Sequence, residues 1–218
     1  MSASTTEPHL TKSPGRRTPR GLVLMLHGGA EHNTEPVTAH SRPWQRSRLM
    51  MAQLQGRFHR AGLDVWLLRY RFTGWNHLLA PGHGAHPSPV GDARWALDEV
   101  RAAHGSLPVV ILGHSMGART GATVADDRNV RGLVAVAPWF PAGEPVQPLA
   151  GRHLVAAHGR ADRVTSFDAT NAFVRRADGV AASAELVDME ELGHYMLKGI
   201  GRWNAVAAER TVAMFDLA

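Results

Sequence analysis

The chain has 218 residues, 44% of them hydrophobic, enough to bury one substantial core and within the size range of a single domain. It has no cysteine, which excludes a disulfide framework, a thiol nucleophile and a thiolate metal site. The net charge of +5 comes mainly from arginines scattered among acidic residues, with lysine only at Lys12 and Lys198, so the pattern is that of a solvated surface and not of a nucleic-acid-binding block.

Residues 1–19 are rich in Ser, Thr and Pro and show no hydrophobic period, so they are expected to be a disordered tail before a single domain over 20–218. Arg16-Arg17 precede the apolar run Leu22–Leu26. That run is shorter than a signal h-region of about 7 residues and leads straight into His27-Gly28-Gly29, so it reads as a strand. No stretch approaches the roughly 18 apolar residues of a membrane span, and a cytoplasmic protein without a membrane partner is expected.

Short apolar runs then alternate with amphipathic segments. Gly21–Leu26, Leu63–Arg69, Pro108–Leu112, Gly132–Ala137, His153–Ala157 and Ala184–Asp188 read as strands buried on both faces. Between them, Met51, Leu54, Phe58 and Ala61 recur at helical spacing, as do Trp95, Leu97 and Val100. Phe167–Ala177 reads as a further helix, and Trp203, Val206, Arg210 and Ala213 mark a last one. Strand and helix alternating throughout imply an α/β fold: a doubly wound, mostly parallel sheet with helices on both faces. Ligands in such folds bind at the carboxyl ends of the strands, so the residues that follow each strand are the ones to read for chemistry.

Gly113-His114-Ser115-Met116-Gly117 follows the third strand and precedes the Ala- and Gly-rich segment 118–125. A G-x-S-x-G between strand and helix places the serine on a strained turn that lifts its hydroxyl into the open, and any Cβ at 113 or 117 would collide with that turn. A serine hydroxyl is a weak nucleophile at neutral pH and needs an imidazole base, itself oriented by an acid. Downstream, Asp162 follows the strand that ends at Ala157, and His194 follows the strand that ends at Asp188, in the order Ser, Asp, His. Glu144 is the rival acid; His27, His114 and His158 are rival histidines that can instead pack or bond to backbone. Glycines in Leu26-His27-Gly28-Gly29-Ala30 let a backbone N–H approach a substrate oxygen, and with the N–H of Met116 would stabilise an oxyanion.

Strand-HGG, GHSMG, HGRAD and LGH in this order resemble the α/β-hydrolase superfamily from about residue 20 onward, most closely the compact esterases of the dienelactone-hydrolase and cutinase-like groups. The resemblance implies Ser115 as nucleophile, Asp162 as acid, His194 as base, Gly29 and Met116 as oxyanion donors, and Trp139 as an aromatic wall of the acyl site. It implies a small-molecule acyl substrate and no cofactor. Esterase, thioesterase, peptidase, acyltransferase and perhydrolase chemistry all remain open on such a triad, as does a non-catalytic binding protein of the same fold. A metal hydrolase could draw on His77, His83 and His86, but H-E-x-x-H is absent and these residues lie in a Gly/Pro loop. Many relatives insert a helical cap after the strand ending at Ala137. Here only residues 139–151, with Pro141, Pro145 and Pro148, separate that strand from the next, so a minimal fold without a cap domain is expected. The loop 72–89, with Trp75, Leu78 and Leu79, is the candidate for a mobile rim.

Overall fold

The structure is a computed structural model that describes residues 7–76 and 86–217. Its described residues form seven strands, β1 (His9–Ser13), β2 (Gly21–Leu26), β3 (Leu63–Arg69), β4 (Val109–His114), β5 (Val130–Val136), β6 (His153–His158) and β7 (Ser183–Asp188). Five helices accompany them: α1 (Arg42–Arg60), α2 (Ser88–His104), α3 (Met116–Thr123), α4 (Phe167–Asp178) and α5 (Ile200–Met214). The strands form one sheet in the order β1-β3-β2-β4-β5-β6-β7, antiparallel only between β1 and β3. β2, β4 and all but one residue of each of β3 and β5 are buried because helices cover both faces, which explains why these strands read as continuous apolar runs.

Chain direction fixes the layers. From β2 through α1 to β3 the chain moves toward one edge. From β3 through α2 to β4, and then through α3 and α4, it moves back toward the other. Right-handed crossovers therefore put α1 on one face and α2, α3 and α4 on the opposite one. α5 returns to pack on α1 and on β4, β5 and β6. The reversal falls between β2 and β4, the switch point at which such sheets open a crevice. α1 turns Trp44, Met50, Met51, Leu54 and Phe58 into the core. Between β5 and β6 the only regular element is a single 3₁₀ turn, Gln147–Leu149, so no cap domain stands among the described residues.

One expectation is corrected. The segment 1–19 is not wholly a disordered tail, because His9–Ser13 is an edge strand whose residues pair with Arg69 back to Val65. Lys12 lies over the Trp66 ring at 4.0 Å, and the Gly15 N–H donates to Asp64 at 2.8 Å. Backbone pairing to β3, with Leu10 packed against the core, orders this segment.

Candidate active site

β4 ends at His114 and α3 begins at Met116; between them the backbone of Ser115 takes φ 55°, ψ −118°, a conformation that L-residues hold only under constraint. The flanking glycines are required by space. A Cβ at Gly113 would meet the Ala118 backbone at 2.6 Å, and one at Gly117 would meet the Leu26 carbonyl oxygen at 2.2 Å. Leu26 pairs with Gly113 across β2 and β4, so the chain leaving β2 runs beside the turn. A Cβ at Gly28 would lie 3.3 Å from that of Ser115. Ser115 opens into a cleft of about 550 Å³ walled by Gly28, Gly29, Arg46, His114, His194 and Tyr195 among others.

His194 enters this cleft from the loop after β7, and Asp162 approaches it from the loop after β6. Asp162 Oδ2 accepts from His194 Nδ1 at 2.8 Å, and the carboxylate is itself buried. His194 Nε2 makes no hydrogen bond among the described residues. The same Asp162 oxygen accepts from His158 Nε2 at 3.1 Å and from the Thr165 hydroxyl at 3.0 Å, while Oδ1 accepts the Val164 and Thr165 N–H groups, each at 2.8 Å. Burial alone would raise the carboxyl pKa. The bonds from His158 and His194 and those from the Thr165 and Val164 amides outweigh it and hold the group below the usual carboxylate range. Glu144, the rival acid, is instead taken up by Arg119, 2.7 Å from Nη2.

His114 donates from Nε2 to the His194 carbonyl at 3.1 Å, which ties the elbow to the loop that carries His194. Burial first, then the neighbouring His194, lowers its pKa to about 3, so it stays neutral. Gly29 sits against Met116: a Cβ there would strike the Thr73 carbonyl oxygen at 2.2 Å and Met116 Cε at 2.5 Å. Neither the Gly29 N–H nor the Met116 N–H, the latter in the first turn of α3, finds an acceptor among the described residues.

A family model for the alpha/beta hydrolase family matches residues 23–215. The chain belongs to that family. No curated protein matches it by sequence. Solved structures share the hydrolase fold. An alpha-beta serine hydrolase homologue from Coxiella burnetii superimposes with a TM-score of 0.68 at 16% identity, covering 96% of this chain and 94% of the other. Ferulic acid-bound Est1E from Butyrivibrio proteoclasticus gives 0.67 at 12% identity, covering 96% of each chain. A serine hydrolase without a lid from Xanthomonas campestris gives 0.65 at 16% identity, covering 93% of this chain and 87% of the other.

Not every expected residue takes its place in the cleft of this alpha/beta hydrolase. Trp139 donates its backbone N–H to the Ser115 carbonyl at 3.3 Å, and its ring is not among the groups that wall this cleft. It meets Trp75 edge-on at 6.2 Å, and the Arg119 guanidinium lies over it at 4.5 Å. Of the proposed rim loop, residues 77–85 lie outside the described residues, and with them Leu78, Leu79, His77 and His83; no cluster of three metal-ligating side chains occurs among the described residues. Sequence reasoning missed Thr165, His158 and Arg46. His158 set four residues before Asp162 in HGRAD was a usable signal, since one turn-like step brings the two side chains together. Nothing in the local pattern marks Arg46.

Proposed function

We propose that this chain is a serine hydrolase that cleaves carboxylic ester or closely related acyl bonds of small substrates through an acyl-enzyme. The reading rests above all on one observation: His194 shares a cleft with Ser115 while Asp162 holds its Nδ1 at 2.8 Å. With Nδ1–H committed to a carboxylate, the imidazole presents Nε2 as an acceptor, the form a base needs. In this reading Ser115 Oγ gives its proton to His194 and attacks the acyl carbon. The backbone N–H groups of Gly29 and Met116 stabilise the negative oxygen, and the imidazolium returns its proton to the leaving group. Water then repeats the cycle on the acyl-enzyme. Kinship in fold with serine hydrolases supports this chemistry, and an ester is a better first choice of substrate than an amide because its leaving alcohol needs less assistance than an amine.

A fluorophosphonate probe tests the nucleophile. The probe is expected to label Ser115, as read by peptide mass, and Ser115→Ala is expected to lose both labelling and hydrolysis of p-nitrophenyl butyrate, by about 10³-fold or more in kcat. Retention of a tenth of wild-type turnover in a clean preparation would remove Ser115 from this role.

A further inference from the structure

The wall of the Ser115 cleft formed by α1 carries two guanidinium groups and no acid. Arg42, Pro43 and Arg46 line it, and no Asp or Glu appears among the described residues of the wall. Arg46 is half-buried, and the contact made by its charge is with the face of the Tyr195 ring, 4.8 Å away, next to His194. Neither arginine has an ion pair or hydrogen bond among the described residues. Three other partly buried arginines are paired, Arg71 with Asp92, Arg101 with Asp127 and Arg119 with Glu144, whereas Arg69, on the face of the Trp44 ring, has no ion pair among the described residues. The segments outside the described residues, 1–6, 77–85 and 218, contain no Asp or Glu that could neutralise the pair. Arg42, whose side chain is exposed, opens α1, where the helix dipole disfavours a cation and no acidic residue in the first turn compensates. Folding thus gains little from two positive charges here. A half-buried, unpaired guanidinium is costly unless something anionic arrives.

Resting on the serine-hydrolase reading above, we propose that the substrate is an ester bearing a carboxylate, held by Arg46 with Arg42 at the α1 wall while its acyl carbon meets Ser115. A carboxylate offers two oxygens to the planar fork of Arg46, a charge-assisted contact that a neutral substrate does not make. Desolvation foremost lowers the affinity of Arg46 for its proton, in keeping with the half-burial of the group.

Two ester pairs, each differing in one charge, test this after subtraction of spontaneous hydrolysis. One sets the p-nitrophenyl half-ester of glutaric acid against p-nitrophenyl valerate; the other sets the butyrate ester of para-hydroxybenzoate against that of para-hydroxybenzamide. The carboxylate-bearing member of at least one pair is expected to have a kcat/KM about tenfold higher or more, a preference that shrinks as sodium chloride is raised. Arg46→Gln is expected to reduce that ratio at least fivefold, and Arg46→Lys to retain more of it than Arg46→Gln. Arg42→Gln gives the same readout should the Arg46 variants fail to fold. Hydrolysis of the neutral esters with no preference for the charged member of either pair overturns the anion site and leaves the serine hydrolase standing. Failure to hydrolyse any of the four, together with no fluorophosphonate labelling, instead overturns the reading beneath it.

Discussion

At the residue scale, one carboxylate takes bonds from two imidazoles, and the sequence offered Glu144 as a competitor for its role. Asp162→Asn would present an amide N–H to His194 Nδ1 and favour the tautomer that blocks Nε2 from acting as a base. Turnover of p-nitrophenyl butyrate is expected to fall by up to about 10⁴-fold with folding retained, whereas Glu144→Gln, far from the imidazole and bonded to Arg119, should change it little; the opposite pattern would reassign the acid. The buried histidines set a second expectation, for stability. His27 donates from Nδ1 to the Gly28 carbonyl and accepts the Tyr70 N–H at Nε2, so a second ring proton has nowhere to go. Burial foremost lowers its pKa to about 4, and lowers that of His114 to about 3. The unfolded chain takes up these protons as pH falls below about 6.5 while the folded chain refuses them. Stability is then complete above that value and declines toward the folded pKa values, by about 2 kcal/mol for each histidine at pH 5. Asp162 acts in the same direction lower down: its depressed pKa stabilises the fold above the ordinary carboxylate value, near 4, and that stability is lost as pH falls through it. Urea unfolding at pH 7.5 and 5 should show the decline; a decline half as large would mean that one ring is charged in the folded protein, and a flat profile that both are.

At the scale of elements, the edge strand β1 is where sequence and structure part. Removal of residues 1–14 would uncover the β3 edge from Val65 to Arg69, which includes the buried apolar Val65, Trp66, Leu67 and Leu68. The truncated protein is expected to unfold at a lower temperature and to self-associate on size-exclusion chromatography; an unchanged Tm with a single monomeric peak would show that the β1 pairing contributes nothing. β1 was illegible for a physical reason. His9-Leu-Thr-Lys-Ser13 is partly exposed along its length and is held by backbone bonds, so it writes no apolar run, whereas β2 and β4, buried on both faces, write nothing else. The elbow was legible because its constraint is steric and local: only glycine fits at 113 and 117. Asp162 and His194 could be placed after their strands from chain order. Thr165 could not, because its part in the site depends on which way side chains point from loops that meet only in three dimensions. The closeness of those loops is plain at Gly159, where a Cβ would lie 1.9 Å from the Leu192 carbonyl oxygen.

Over the whole molecule, strain and chemistry gather at one end of the sheet. The described non-glycine residues with positive φ are Ser115, Ala137, Glu190 and Met196, each beyond the carboxyl end of a strand or in the loop that follows β7. The rest of the core secures that end, and what the end lacks is cover. Between β5 and β6 there is no cap, and the apolar side chains on the cleft wall, Val164, Tyr195 and Leu197, are themselves 55%, 52% and 73% exposed. A methylene enclosed on all sides contributes about 0.8 kcal/mol to binding, but one lying on so open a wall keeps much of its contact with water. Lengthening an acyl chain past the first few carbons should therefore add little binding while it adds ordering entropy. Across p-nitrophenyl esters, kcat/KM is expected to be highest between acetyl and butyryl and lower at about eight carbons, with no jump in rate above the solubility limit of the substrate. A maximum at the long chains would mean that the site encloses an acyl chain. A jump at the solubility limit would mean instead that the exposed Val164, Tyr195 and Leu197 engage an apolar interface.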